Sequence, residues 1–313
     1  MDLIADIGGT HSRCALIDDK GGLIAAETYE NRDFQGIREV LEHYLSRRRL
    51  RDRPSEAALA IAGPVTGDEI VMTNLPWRFS RLELREALGL SRLLVINDFA
   101  AVAWALPVLE PTDLHPIGGG QAVQREPLAV LGPGSGLGVA VLAPVAGNWT
   151  VLPGEGGNVA IATATANEAA VVDMLRDATG YCAVESLVSG PGLVRIHDIL
   201  SERAGQEPPG LMPAAISAAA AKGDRLAIEA QAMFFELLGG LAGDLALTVG
   251  ARGGVYIAGG IVPRLLTAFE ASAFRARFEA KGRYRPYLEA IPTQVITASV
   301  PALIGLRKIL GYR

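Results

Sequence analysis

Leu128-Ala129-Val130-Leu131-Gly132-Pro133-Gly134-Ser135-Gly136 is an apolar run broken by a glycine turn. Four apolar residues are too few for a helix, so the run predicts a buried strand that ends where the glycines let the backbone bend. A second strand follows at Val139 to Leu142, then a hairpin turn at Gly147-Asn148, then a third strand from Trp149 to Leu152. The chain opens in the same order. Leu3-Ile4-Ala5 runs into Asp6-Ile7-Gly8-Gly9-Thr10, then a strand through Cys14 to Ile17, the turn Asp18 to Gly22, and Leu23 to Ala26. Strand, glycine turn, strand, hairpin, strand, written twice, predicts a duplicated α/β unit.

Between and after these repeats the pattern stays α/β. An amphipathic helix carries Phe34, Ile37, Val40, Leu41, Tyr44 and Leu45, and Ala57 to Ala62 is a buried strand ending at Gly63-Pro64. Ser80 and Glu83 have the spacing of a capping box, and Gly89 closes the short helix that follows. Leu93 to Ile96 is another strand, with Asn97-Asp98 directly behind it and a helix from Phe99 to Leu106. The second half predicts helices near Asn167–Thr179, Leu193–Ala204, Pro213–Ala221 and Asp224–Val249. A strand from Gly254 to Ala258, a last strand from Ile291 to Thr297 and a last helix from Ala302 to Leu310 complete it. Met233, Phe234, Phe235, Leu237, Leu238 and Leu241 form a core stripe. Gln206 to Pro213 is a surface loop.

At 313 residues the chain has room for two domains. Its 29 Lys and Arg against 34 Asp and Glu argue against a nucleic-acid binder, which needs clustered positive charge. One basic cluster, Arg47-Arg48-Arg49 with Arg51 and Arg53, closes the first helix and reads as a solvated helix end. Cys14 and Cys182 are too few for a disulfide framework or a zinc site, and the four histidines have no ligand spacing. The uncharged run Pro127 to Gly147 carries too many glycines and prolines for a membrane helix. The expectation is a cytoplasmic protein with no membrane partner.

Three glycine turns follow buried strands: Gly8-Gly9-Thr10, Gly132 to Gly136, and Gly259-Gly260. Backbone N–H groups in such turns can converge on an anion, with Thr10 or Ser135 adding a hydroxyl. Asp6 would suit a water-mediated Mg²⁺. Neither the P-loop nor the dinucleotide pattern fits, since there is no GxxxxGK[ST] and Gly134-Ser135-Gly136 leads into a strand. Asp98 lies where open α/β sheets bind ligands, yet Asn97-Asp98 could equally cap the helix from Phe99, and locally capping is the commoner outcome. Pro153-Gly154-Glu155-Gly156-Gly157-Asn158 offers a carboxylate and an amide suited to sugar hydroxyls. Glu185, by itself, reads as a surface Glu.

Taken in order, several stretches resemble the bacterial glucokinases of the actin-like ATPase superfamily. They are Asp6 to Thr10, Thr73-Asn74-Leu75-Pro76-Trp77, Ile96-Asn97-Asp98-Phe99, Leu131 to Gly138, Pro153 to Gly157, Ser189-Gly190-Pro191-Gly192 and Gly254 to Pro263. The resemblance implies two actin-like (ribonuclease H-like) α/β domains flanking a deep cleft. One would be residues 1–108 joined by the C-terminal helix, about 299–313, and the other 109–298. It implies ATP-dependent phosphorylation of glucose at its 6-hydroxyl, with Asp98 as catalytic base and Mg²⁺ arriving with ATP rather than held permanently. By the same likeness Asn97, Asp98, Glu155, Asn158 and Glu185 bind the sugar. Asp6, Gly8, Gly9, Thr10, Gly134, Ser135, Gly259 and Gly260 hold the nucleotide, and a homodimer would be unsurprising.

Three departures bear on this. The family usually has His after Glu-Gly-Gly, where this chain has Asn158; amide and imidazole differ in reach and protonation. Cys182 stands alone where zinc-containing sugar kinases carry a cysteine cluster. Val300-Pro301-Ala302 replaces the usual Asn-Pro-Gly. A kinase for mannose, fructose or an amino sugar, and a sugar-sensing regulator of the same fold, therefore stand as alternatives. Regulators of that kind commonly begin with a helix-turn-helix, whereas this chain begins at its first strand.

Overall fold

The computed structural model describes residues 1–48, 53–73 and 75–312. Arg49 and Arg51 of the basic cluster, and Asn74 of the Thr73–Trp77 stretch, lie outside the described residues. The chain forms two compact units, Met1–Glu110 with Ala298–Arg313, and Pro111–Thr297.

The first unit is built on β1 (Asp2–Ile7), β2 (His11–Ile17), β3 (Leu23–Glu30), α1 (Ile37–Ser46), β4 (Glu56–Ile61), β5 (Glu69–Val71), β6 (Arg78–Ser80), α2 (Arg81–Leu88), β7 (Arg92–Asn97) and α3 (Asp98–Ala105). Its main sheet runs β3-β2-β1-β4-β7. β1, β2 and β3 form an antiparallel meander, while β4 and β7 join parallel to β1. β1 and β4 are buried along nearly their whole length because helices cover both faces of the parallel part. Ile37, Val40, Leu41 and Tyr44 of α1 fill one side of this core, and the C-terminal helix Pro301–Ile309 packs on α3, β1 and β4.

The second unit contains β8 (Leu114–Ile117), β9 (Leu128–Pro133), β10 (Leu137–Val145), β11 (Asn148–Gly154), α4 (Ala166–Thr179), α5 (Gly190–Arg203), α6 (Pro213–Ala221), α7 (Arg225–Val249), β12 (Gly254–Ile257), α8 (Leu266–Glu270), α9 (Phe274–Glu279), α10 (Arg285–Glu289) and β13 (Thr293–Ile296). Its sheet runs β11-β10-β9-β12-β13-β8. The first five strands repeat the order and directions of the first unit's sheet, and β8 is an antiparallel addition outside β13. The duplication read from two glycine turns is thus present in the topology of both sheets. α7 is long and apolar enough to cross a membrane, yet Met233, Phe234, Phe235, Leu237 and Leu238 lie buried in this unit's core.

Several local expectations change. β3 runs to Glu30 instead of stopping at Ala26, because a bulge at Ala25 (φ +53°) shifts the register and the ladder resumes beyond it. α3 ends at Ala105, one residue earlier than read, and Pro107 follows inside a 3₁₀ turn, Leu106–Val108, where its missing N–H costs nothing. Arg48 is not part of a solvated helix end. Its guanidinium lies 3.5 Å over the Tyr44 ring, bonds the Tyr44 and Ala25 carbonyls, and pairs with Glu27 at 2.9 Å. The β5–β6 hairpin, β8 and the short helices α8 to α10 carry no periodic signal long enough to have been read.

Candidate active site

In the first unit the candidate residues gather at the carboxyl ends of the parallel strands. β1 delivers Gly8-Gly9-Thr10 and β7 delivers Asn97-Asp98, with β4 lying between them. Two strand spacings put these ends roughly 10 Å apart. Asn97 is the residue that caps α3: its Oδ1 accepts from the Phe99 and Ala100 amides at 2.9 and 3.1 Å. Its Nδ2 donates to the Gly63 carbonyl at 3.2 Å, which leaves one amide hydrogen for a ligand. The cap therefore belongs to Asn97 while Asp98 is the first helical residue, half-buried, its Oδ1 accepting from the Phe99 amide at 2.9 Å.

Asp6 sits directly across the β1–β2 ladder from Arg13, and their side chains pair at 3.3 Å. Burial pushes the Asp6 carboxyl up, and the Arg13 charge and hydrogen bond pull it back only in part. A half-buried carboxylate in that balance would gain from a further cation. Arg13 was not foreseen as its neighbour.

Asn31 was not foreseen at all. It follows β3 and is 2% exposed. Its Nδ2 donates to the Gly8 carbonyl at 2.8 Å, its Oδ1 accepts from the Ser12 hydroxyl at 2.6 Å, and its backbone N–H donates to the Thr10 carbonyl at 2.9 Å. One buried residue thus pins both ends of the Gly8–Thr10 turn, Gly8 through its side-chain amide and Thr10 through its backbone N–H. The Gly8 N–H is spent on the His11 carbonyl, which leaves Gly9 and Thr10 as the turn's candidate anion donors.

In the second unit the turn after β9 is built alike. The Gly134 N–H donates to the Gly136 carbonyl at 2.7 Å, and the half-buried Gly134 has open space where a Cβ would sit. Ser135 is exposed at the turn's tip. Gly259 follows β12, the neighbouring parallel strand, with φ at +86°, and a Cβ there would overlap the Pro133 carbonyl oxygen. Gly259-Gly260 and the Gly132–Gly136 turn are therefore side by side at one end of this sheet. These residues fit a polyanion: glycine backbone, open space and a hydroxyl, with no side chain in the way.

Glu155 and Asn158 are exposed on the loop behind β11. Asn158 donates its N–H to the Glu155 carbonyl, and its own carbonyl accepts from the Tyr181 hydroxyl at 2.8 Å. Between them Gly157 lies against β10 so closely that a Cβ would overlap the Leu137 carbonyl oxygen. Glu185 is not a plain surface residue. It is half-buried, and its Oε2 accepts from the Leu137 N–H at 2.7 Å. The structure thus brings the Glu155 loop, Glu185 and the Gly134–Gly136 turn together on Leu137. Among the described residues there is no cluster of three or more His, Cys, Asp or Glu. Cys14 and Cys182 are buried free thiols, and burial pushes Cys14 up to about 12.

The family model described as Glucokinase matches residues 3–311. The glucokinase of Paramagnetospirillum magneticum is 44% identical over 308 residues, covering 98% of this chain and 96% of its own. Among solved structures, a glucokinase from an Antarctic psychrotroph superposes with a TM-score of 0.88 at 36% identity, covering 98% of both chains. A ROK family glucokinase from Streptomyces griseus, in complex with glucose and AMPPNP, shares the fold at TM-score 0.68 and 17% identity over 98% of both chains. A family match over almost the whole chain, with a relative at 44% identity, makes this chain a member of the glucokinase family.

Proposed function

We propose that this chain phosphorylates glucose through Asp98, with the sugar bound by Asn97, Glu155, Asn158 and Glu185. Membership of the glucokinase family makes it an ATP-dependent kinase of glucose. The assignment of roles to residues is our own. The observation that carries it is the placing of Asp98 and the Gly8–Thr10 turn at the carboxyl ends of parallel strands in one sheet.

Asp98, fixed at the start of α3, takes the proton of the sugar's 6-hydroxyl as that oxygen bonds the γ-phosphorus of ATP and the bond from that phosphorus to the β–γ bridging oxygen breaks, releasing ADP. A positioned base of this kind contributes roughly 10²–10⁴ in rate. Gly9, Thr10 and Ser135 hold the phosphates through N–H and hydroxyl donors, Gly134 gives them room by lacking a Cβ, and Gly259-Gly260 border the adenosine. Mg²⁺, held through water near Asp6, would neutralise charge on the phosphates. The rest of the catalysis is positioning, supplied by Asn31 and Leu137 to the two turns. The use of ATP and a free hexose places the working enzyme in the cytoplasm. We also propose that residues 1–108 with 299–313, and 109–298, act as its two domains.

Asn158, in place of the family's histidine, favours one second reading, a preference for mannose, fructose or an amino sugar. Purified protein with Mg²⁺ and ATP, assayed on glucose, mannose, fructose, glucosamine and N-acetylmannosamine, decides it. Highest kcat/KM on glucose is the expected result. A tenfold preference for another sugar would move the specificity, and no turnover on any sugar would remove the kinase assignment.

A further inference from the structure

Glu185 faces two ways, and the geometry points to a role beyond binding sugar: we infer that it is the strut that holds the Gly134–Leu137 turn in its phosphate-binding shape. The inference rests on the proposed site, and it makes sugar and nucleotide affinity depend on one carboxylate.

The bond from the Leu137 N–H to Glu185 Oε2, 2.7 Å long, closes the turn at its far end. At the near end the Gly190 N–H donates to the Gly134 carbonyl at 2.8 Å. Both braces come from one short stretch, Glu185 to Gly190. That stretch is stiff for local reasons. Val184–Ser186 is a 3₁₀ turn, Ser189 Oγ caps α5 by accepting the Gly192 N–H at 3.0 Å, and Leu187, Val188 and Ser189 are buried. It is also tied to the sugar loop, since the Val184 N–H donates to the Val159 carbonyl at 3.0 Å and Ala160 bridges to Ala183. Gly136 completes the picture. A Cβ there would stand 2.6 Å from Glu185 Oε2, so glycine at this position makes room for the carboxylate as well as for the turn.

A carboxylate oxygen accepting a backbone N–H is a charge-assisted bond, shorter and stronger than a neutral one. A sugar hydroxyl on the other oxygen fixes the same carboxyl plane. Loss of either partner then loosens the other, and the effect is reciprocal because it is a coupling between two binding equilibria.

Three calorimetric titrations test this on purified full-length variants. Gly136→Ala, titrated with glucose in the absence of nucleotide, is expected to bind it about tenfold more weakly, although Gly136 belongs to the phosphate turn. Glu185→Ala, titrated with AMPPNP in the absence of sugar, is expected to lose about fivefold in affinity. The double variant should bind AMPPNP no more than about twofold worse than Glu185→Ala, because both changes act on the bond between Glu185 and Leu137. Unchanged glucose affinity in Gly136→Ala overturns the strut. So does unchanged AMPPNP affinity in Glu185→Ala, which stands as the test if the alanine at 136 prevents folding. Failure of the underlying site reads differently: Glu185→Ala would then bind glucose as the parent does, whatever happens to AMPPNP.

Discussion

Replacing Asn31 by alanine separates the scaffold of the first phosphate turn from its chemistry. The substitution removes two side-chain bonds and leaves the backbone bond to the Thr10 carbonyl in place. Ser12 is fully buried, so its hydroxyl loses its Asn31 acceptor without access to bulk water, a cost of about 1–3 kcal/mol. The Gly8 carbonyl is half-buried and recovers solvent in part, so its loss is nearer the ordinary 0.5–1.5 kcal/mol of a net hydrogen bond. Together these give about 1.5–4.5 kcal/mol of stability. The part that acts through Gly8 also sets the turn, and losing 0.5–1.5 kcal/mol of phosphate contact raises the ATP KM roughly two- to tenfold. Ser12→Ala is the matched control. It costs about 1 kcal/mol, leaves the Nδ2 bond to Gly8 standing, and leaves the ATP KM within a factor of two. Urea unfolding gives the first quantity, from the midpoint at constant m, and steady-state kinetics at saturating glucose gives the second. An Asn31→Ala variant within 0.5 kcal/mol of the parent would refute the burial argument. Lost stability with an unchanged ATP KM would refute the link to the turn.

Three other outcomes are expected. Asp98→Asn should cut kcat by roughly 10²–10⁴ while AMPPNP affinity stays within twofold, and near-normal turnover would remove Asp98 as the base. Asn158→His should lower the glucose KM about fivefold, worth about 1 kcal/mol, because the backbone at 158 is fixed by Glu155 and Tyr181 while the side chain is exposed; an unchanged KM would place that side chain away from the sugar. The Tyr312 hydroxyl donates to Asp2 Oδ2 at 2.6 Å, and that bond pushes the phenol up to about 12. A group raised above its unfolded value contributes fully below that value, about 10, and loses the contribution as pH rises through about 12. Tyr312→Phe should therefore cost about 0.5–1 kcal/mol at pH 8, with the gap to the parent closing as pH climbs above about 10. Thermal unfolding across pH 8 to pH 11 checks this, and a gap that widens with pH would reverse the assignment.

Much of this protein is written locally, and what is local could be read. Gly132-Pro133-Gly134-Ser135-Gly136 and Asp6 to Thr10 interrupt apolar runs, and a break in a two-residue period marks a strand end wherever the strand later sits. Thus the duplicated order, β1 to β3 against β9 to β11, and most long helices were legible, down to Ser80 and Gly89 as the ends of α2. Short elements such as β5, β6 and β8 span too few residues to show a period. The likeness in order of seven stretches carried the family, and from it the candidate residues.

What those residues do to one another was not written locally. Asn31 lies 23 residues from Gly8 and Glu185 lies 48 residues from Leu137, with no pattern in between that announces either bond. Arg48 looked like one more charge at a helix end until Tyr44, Ala25 and Glu27 closed around it. The sequence by itself determined where strands end and glycines bend, because those preferences act between neighbours in the chain. The tertiary structure alone decided which buried polar groups meet, because a side chain's hydrogen-bond partner is chosen by packing across the sheet.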